Sequence, residues 1–219
     1  MQEFVVVTGL VIKSMPVGEY DRRITILTKE RGKIGAFAKG TRRPGSRLAG
    51  ATNPFSFGRF KLYEGKSSYN LMEADISNYF KELREDLDAA FFGMYFLEVA
   101  DYYTRENNDE RQMLKLLYQS LKALSVPSLK PELVQYIFEM KALVVNGEFP
   151  GPLHKEVMLS DTVYAIEYVT NSSIEKLYTF TLSEPVFKEF EKAAEEYRKN
   201  YIGRNFKSLE ILQNCRLKK

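Results

Sequence analysis

The chain has 219 residues, 44% hydrophobic and 28% charged, which places it among folded globular proteins and argues against disorder. Cys215 and His154 are the sole residues of their kinds, so an internal disulfide framework and a four-ligand zinc site of Cys and His are both excluded. The formal charge of +3 is the sum of unlike parts: residues 1–80 hold 13 Lys and Arg against 7 Asp and Glu, and residues 81–219 hold 19 against 22. Such asymmetry points to one half for a polyanion and another for different partners.

The first 80 residues read as strands. Phe4–Ile12 is apolar and β-branched, Arg23–Thr28 alternates, and Ile34–Ala38 follows the tight turn at Gly32-Lys33. Phe55 and Phe57, with Phe60-Lys61-Leu62-Tyr63, predict a fourth strand, and after a turn at Glu64-Gly65-Lys66 the run Tyr69–Ile76 predicts a fifth. Five short strands with one long connection, Thr41–Asn53, fit a small Greek-key barrel, and in the OB-fold one barrel face and its loops bind oligonucleotides.

Past Phe80 the hydrophobic period becomes helical. One helix is predicted over Leu83–Tyr103, and Asp109 with Gln112 resembles a capping box for the next, whose stripe is Leu114, Leu117, Leu121 and Leu124. Pro131 is placed to open a further helix carrying Val134, Ile137, Phe138 and Leu143 as far as Asn146-Gly147. Ser160–Val169, Pro185–Tyr201 and Leu209–Leu212 complete the set. The expected architecture is α+β: a β domain over residues 1–79 and an all-α domain over 80–219, with the boundary near Tyr79. No apolar run approaches the roughly 18 residues of a membrane span, and no secretory signal is evident, so a reducing cytosol is the expected compartment.

Function is concentrated between Arg31 and Tyr63, where Arg31, Lys33, Lys39, Arg42, Arg43, Arg47, Arg59 and Lys61 occur without one Asp or Glu. Dense cations displace counterions from phosphates, and interleaved rings stack on bases. Pro44-Gly45 makes a turn that would present Arg42, Arg43 and Arg47 together. The bland reading is a solvated loop, but an exposed loop ordinarily mixes both signs of charge. Among the rings, core is the commoner fate for Phe; Tyr20, Phe37 and Tyr63 are the candidate stacking platforms. Arg198, Lys199, Arg204, Lys207, Arg216, Lys218 and Lys219 form a second, weaker basic cluster.

A catalytic reading finds little support. His154 has no neighbouring Gly-x-Ser-x-Gly, and Gly40-x-x-x-x-Gly45 lacks the Lys-Ser/Thr of a phosphate-binding loop. The carboxylates Glu184, Glu189, Glu191, Asp101 and Glu106 are expected on solvated helix faces. The chain is therefore read as a binding protein and not an enzyme.

Gly18-Glu19-Tyr20-Asp21, then Thr28-Lys29-Glu30-Arg31-Gly32-Lys33, then Ala38-Lys39-Gly40-x-Arg42-Arg43-Pro44-x-Ser46-Arg47-Leu48 resembles the N-terminal signature of the bacterial RecO family, recombination mediators of DNA repair. Ile174-Glu175-Lys176-Leu177 and Arg204-Asn205-Phe206-Lys207-Ser208-Leu209 extend the resemblance over nearly the whole chain. It implies an N-terminal OB-fold β-barrel followed by an all-α helical C-terminal domain. It also implies binding to single- and double-stranded DNA and annealing of complementary strands, with no cofactor and no ATP. The implied partners are RecR and the acidic C-terminal tail of single-stranded DNA-binding protein (SSB), so that RecA loads.

The family's barrel contacts carry over onto Lys33, Lys39, Arg42, Arg43 and Arg47, and Arg198, Arg204 and Lys207 are the candidates for the SSB tail. Many members have a four-cysteine zinc ribbon after the segment matching Asn146–Pro152; this chain has no cysteine there, so no zinc is expected. The competing reading is a protein-interaction adaptor whose barrel binds nucleic acid incidentally, or binds RNA.

Overall fold

The computed structural model describes residues 4–65 and 68–216, which leaves Lys66 of the expected turn and Lys218 and Lys219 of the basic tail outside the described residues. Two compact units emerge, one of Met1–Lys81 with Leu97–Leu114 and one of Glu82–Phe96 with Lys115–Lys219.

In the first unit five strands, β1 (Phe4–Val17), β2 (Asp21–Thr28), β3 (Gly32–Ala38), β4 (Phe57–Glu64) and β5 (Tyr69–Asn78), close into a barrel in the order β1-β2-β3-β5-β4. All neighbours are antiparallel except β3 and β5, and the arrangement is the five-stranded Greek key of the OB-fold. Strand alternation fills the interior: Val7, Val11, Ile24, Ile26, Ile34, Phe60 and Leu62 are buried together. Gly9 and Gly58 face each other across β1 and β4. A Cβ on Gly58 would lie 2.2 Å from the Asp75 carbonyl oxygen, so backbone passes where a side chain would collide.

Two strand boundaries differ from the sequence expectation. β1 runs on to Val17 because Met15, Pro16 and Val17 still pair with β2. β4 pairs only with Phe4–Leu10, so beyond a bulge near Ile12 β1 has one neighbour and tolerates a proline. β4, in turn, begins at Phe57 and not at Phe55. Phe55 is buried with φ of 70°, a left-handed conformation rare for a bulky residue, and is pinned by bonds from its own N–H to Val11 O (3.0 Å) and from Val11 N–H to Ser56 O (2.9 Å).

The helices are α1 (Lys81–Glu85), α2 (Leu87–Tyr103), α3 (Arg111–Ala123), α4 (Pro131–Val145), α5 (Ser160–Asn171), α6 (Glu184–Tyr201) and α7 (Lys207–Arg216), with a 3-10 turn at Ile174–Lys176. The single helix expected over Leu83–Tyr103 is broken at Asp86, whose carboxylate accepts from Ala89 N–H at 3.1 Å and caps α2. At α3 the expected capping box is replaced: Asp109 accepts from Arg111 N–H at 3.2 Å and pairs with the Arg111 side chain, whose hydrogen bond holds the carboxyl at about 2. Gln112 makes no reciprocal bond among the described residues.

In the second unit α4 is buried along Leu133–Leu143, including its polar positions. Phe138 stacks on Phe96 with ring centroids 4.3 Å apart. Glu139 accepts from Tyr95 Oη at 2.7 Å, Gln135 Nε2 at 2.8 Å and Arg198 Nη1 at 3.2 Å. Burial pushes its carboxyl up, and the Arg198 charge pulls it back. Lys141 donates to Thr170 O and Ser172 O at the end of α5, and burial draws its pKa down. Removing one member of a buried ion pair leaves the other uncompensated, at a cost of about 3–5 kcal/mol. Arg198→Ala is therefore expected to lower the free energy of unfolding by that order in urea titration; a loss below about 0.5 kcal/mol would contradict this account of the core.

Candidate nucleic-acid interface

Strand register sorts the eight cations of the acid-free stretch into two classes. Arg59 and Lys61 on β4 face Asp75 and Glu73 on β5 across the ladder and pair with them at 2.8 and 2.9 Å. Arg31 pairs with Glu64 at 3.7 Å. Lys33, its side chain only 20% exposed, reaches α2 and pairs with Asp101 at 3.0 Å while donating to that residue's carbonyl. Asp101 thus sits in a scaffold contact and not on a solvated face.

Lys39, Arg42, Arg43 and Arg47 are exposed, and no carboxylate among the described residues pairs with them. An uninterrupted run of cations in sequence therefore becomes four neutralised positions and four open ones. The open ones all lie at the end of β3 or in the connection that follows it.

That connection is a folded cap built of successive turns. Ser46 N–H bonds to Arg43 O, Ala49 N–H to Ser46 O and Asn53 N–H to Gly50 O. Gly40 and Gly45, with φ of 66° and 76°, take the left-handed positions that these reversals require. Leu48 packs against the barrel core, while Thr41, Thr52 and Ser56 are buried. At its start the cap is tied to the β1–β2 turn: Asp21 Oδ1 accepts from Gly40 N–H at 2.7 Å, and Arg42 donates from its backbone N–H to Tyr20 O and from Nη1 to Gly18 O. The arginines are presented by an ordered surface.

The rings divide by position. Phe55 and Phe60 are buried, as core. Tyr20 carries the Arg43 guanidinium 5.1 Å above its ring, and Phe37 carries that of Arg23 at 5.9 Å. A hydrogen bond with Glu19 keeps the Tyr20 hydroxyl above its ordinary pKa. Tyr63 stands apart on β4, edge-on to Phe4 with centroids 6.2 Å apart; the ladder places Asn70 of β5 between it and Phe37.

Arg23 is the member that sequence reasoning missed, because it precedes the acid-free stretch. Its signal was the alternation of β2, which sets it on the outer face opposite Phe37.

In the helical unit Arg198 is committed to Glu139, with a side chain 12% exposed, and it forms one wall of a cleft of about 420 Å³. Lys199, Ile202, Arg204, Leu209 and Glu210 also line this cleft, and Lys207 is exposed at the start of α7. The carboxylates Glu189 and Glu191, expected in solvent, accept from Leu159 N–H and Tyr136 Oη. His154 Nε2 lies 3.0 Å from Glu196 Oε1. Among the described residues no cluster of three or more His, Cys, Asp or Glu is placed to hold a metal, and no helix is long and apolar enough to cross a membrane.

Residues 1–80 match the family described as "Recombination protein O N terminal", and residues 84–151 match "Recombination protein O C terminal". The chain belongs to the RecO family. It is 28% identical to the DNA repair protein RecO of Acetivibrio thermocellus over 94% of this chain and 95% of that protein. The corresponding protein of Clostridium perfringens is 26% identical over 94% and 96%. The Bacillus subtilis protein is 31% identical over 67% of this chain and 57% of its own length. The N-terminal family match covers the barrel with its cap, so the sorted cations lie in the family's own N-terminal domain.

The two classes of cation differ in what they do for folding. Lys33→Met is expected to lower the unfolding free energy by about 1–3 kcal/mol, since it strands Asp101, whereas Lys39→Met and Arg47→Ala stay within about 0.5 kcal/mol of the parent in urea titration. Equal losses in all three would contradict the division.

Proposed function

We propose that this protein is a DNA-binding recombination mediator whose barrel cap grips the phosphate backbone. The observation that carries the reading is the set of four exposed cations, Lys39, Arg42, Arg43 and Arg47, held on an ordered cap with no carboxylate partner among the described residues. Cations that meet no counter-charge in the protein release counterions from a polyanion most effectively. Phosphate contacts carry no base information, so binding to single- and double-stranded DNA is sequence-tolerant. Arg23, Tyr20 and Phe37 border the cap and supply stacking surface. Arg31, Lys33, Arg59 and Lys61 serve the scaffold instead.

The same surface suits annealing, which requires two phosphate backbones to be neutralised at once. In this reading no chemical step is involved: the protein anneals complementary strands and, with RecR, helps RecA load onto SSB-coated DNA in the nucleoid. The helical unit then receives the acidic SSB tail at the cleft bearing Arg204, with Arg198 fixing the wall and Lys207 exposed at the start of α7. Since Arg198 also holds the core, substitutions at Arg204 and Lys207 are the informative ones.

The test is the salt dependence of affinity for single-stranded DNA, with a log–log slope of roughly −0.7 per phosphate neutralised. Replacing Arg42, Arg43 and Arg47 together with Ala should make the slope shallower by about 2 and abolish annealing of SSB-coated strands, while Arg59→Ala leaves both unchanged. An unaltered slope in the triple variant would remove the cap from the function. Retained annealing by that variant would favour the adaptor reading.

A further inference from the structure

Arg22 follows the inward parity of β2, two residues before Ile24 and four before Ile26, both of which lie in the barrel core. It pairs across the ladder with buried Ala38 and is half-buried at the barrel mouth. Its Nη1 lies 2.6 Å from Asn53 Oδ1, 3.0 Å from Thr52 Oγ1 and 3.2 Å from Ala49 O. Two protons on that nitrogen are shared among three acceptors, all on the far arm of the cap. Thr52 passes the connection on, since its hydroxyl also lies 3.1 Å from Leu48 O and Ala49 O. The preceding residue, Asp21, holds the near arm through Gly40 N–H. Two adjacent residues at the start of β2 therefore tie down both ends of the segment that bears Arg42, Arg43 and Arg47.

We infer that Arg22 is a positioning residue that locks the cap closed from beneath, so that the exposed arginines meet DNA as a preorganised set, and that it makes no phosphate contact itself. The inference rests on the DNA-binding reading above. Its acceptors are all neutral, so the guanidinium keeps its full charge beneath the cap and adds to the potential above it. Lost order in the segment spreads three arginines over many conformations, and binding must then supply the entropy of gathering them.

Three measurements on the full chain separate this role from the alternatives: amide hydrogen exchange of residues 40–53 without DNA, the salt slope of single-stranded DNA binding, and urea unfolding. Arg22→Met is expected to speed exchange across the cap at least tenfold while barrel-core amides keep their protection. Affinity for single-stranded DNA at fixed salt should fall several-fold, while the salt slope shifts by less than the roughly 0.7 that loss of one phosphate contact would give. Arg22→Lys, whose ammonium can reach some of the same acceptors, should recover part of both effects. Asn53→Ala removes the nearest acceptor and should reproduce the change in weaker form even if Arg22→Met folds poorly. The two should be non-additive when combined.

A slope change of about 0.7 with cap exchange unaltered would make Arg22 a plain phosphate contact and overturn the inference. Faster cap exchange with parental DNA binding would overturn it differently, by showing that cap order is not needed. If the parent protein itself binds DNA without salt dependence, the DNA reading falls, whereas cap exchange still reports whether Arg22 holds the cap.

Discussion

Closing five strands into a barrel leaves no free choice of register, and the distribution of charge over this molecule follows from that constraint. Once β4 lies between β1 and β5, Gly58 must pass the Asp75 backbone, and Arg59 and Lys61 must face Asp75 and Glu73. Those cations are neutralised by geometry. The connection between β3 and β4 is outside the ladder, so nothing in the register supplies its arginines with partners. The cap is made of backbone turns and hydroxyl bonds instead, and among the described residues no carboxylate pairs with its arginines.

The helical unit handles charge in the opposite way. α4 is surrounded, so Glu139 and Lys141 satisfy themselves inward, the first through Tyr95, Gln135 and Arg198, the second through the last carbonyls of α5. Such contacts fix how helices pack and offer little to a ligand. What remains exposed near α6 and α7 is a mixed surface, with Arg204, Lys207 and Glu210.

Much of this was legible before any coordinates. The inward sets Ile24, Ile26 and Ile34, Ala36 are alternation read directly, and the Leu114–Leu124 stripe and the Pro131 start are periodicity and punctuation. The cap arginines were visible as a cluster. Their distinction from Lys33 was not, because Asp101 lies 68 residues further on. Arg198 looked like one more tail cation because its partner sits on a helix 59 residues earlier. Arg22 and Arg23 are adjacent and alike in type, yet one faces the barrel mouth and the other the outer sheet. Only the phase of the strand tells them apart. The residue type of Phe55 favours a strand, whereas its backbone is set by bonds from Phe55 N–H to Val11 O and from Val11 N–H to Ser56 O.

The guanidinium lying over Tyr20 has a kinetic consequence. A base that stacks on that face displaces Arg43 and not bare water, so the net gain per base is smaller than the ring alone would give. On the proposed DNA-binding reading, a weaker hold on each base would shorten its stay. If the protein joins two strands as proposed, it must also surrender the duplex it has made, and a stacking face that reclaims its own arginine as each base leaves would favour turnover over storage.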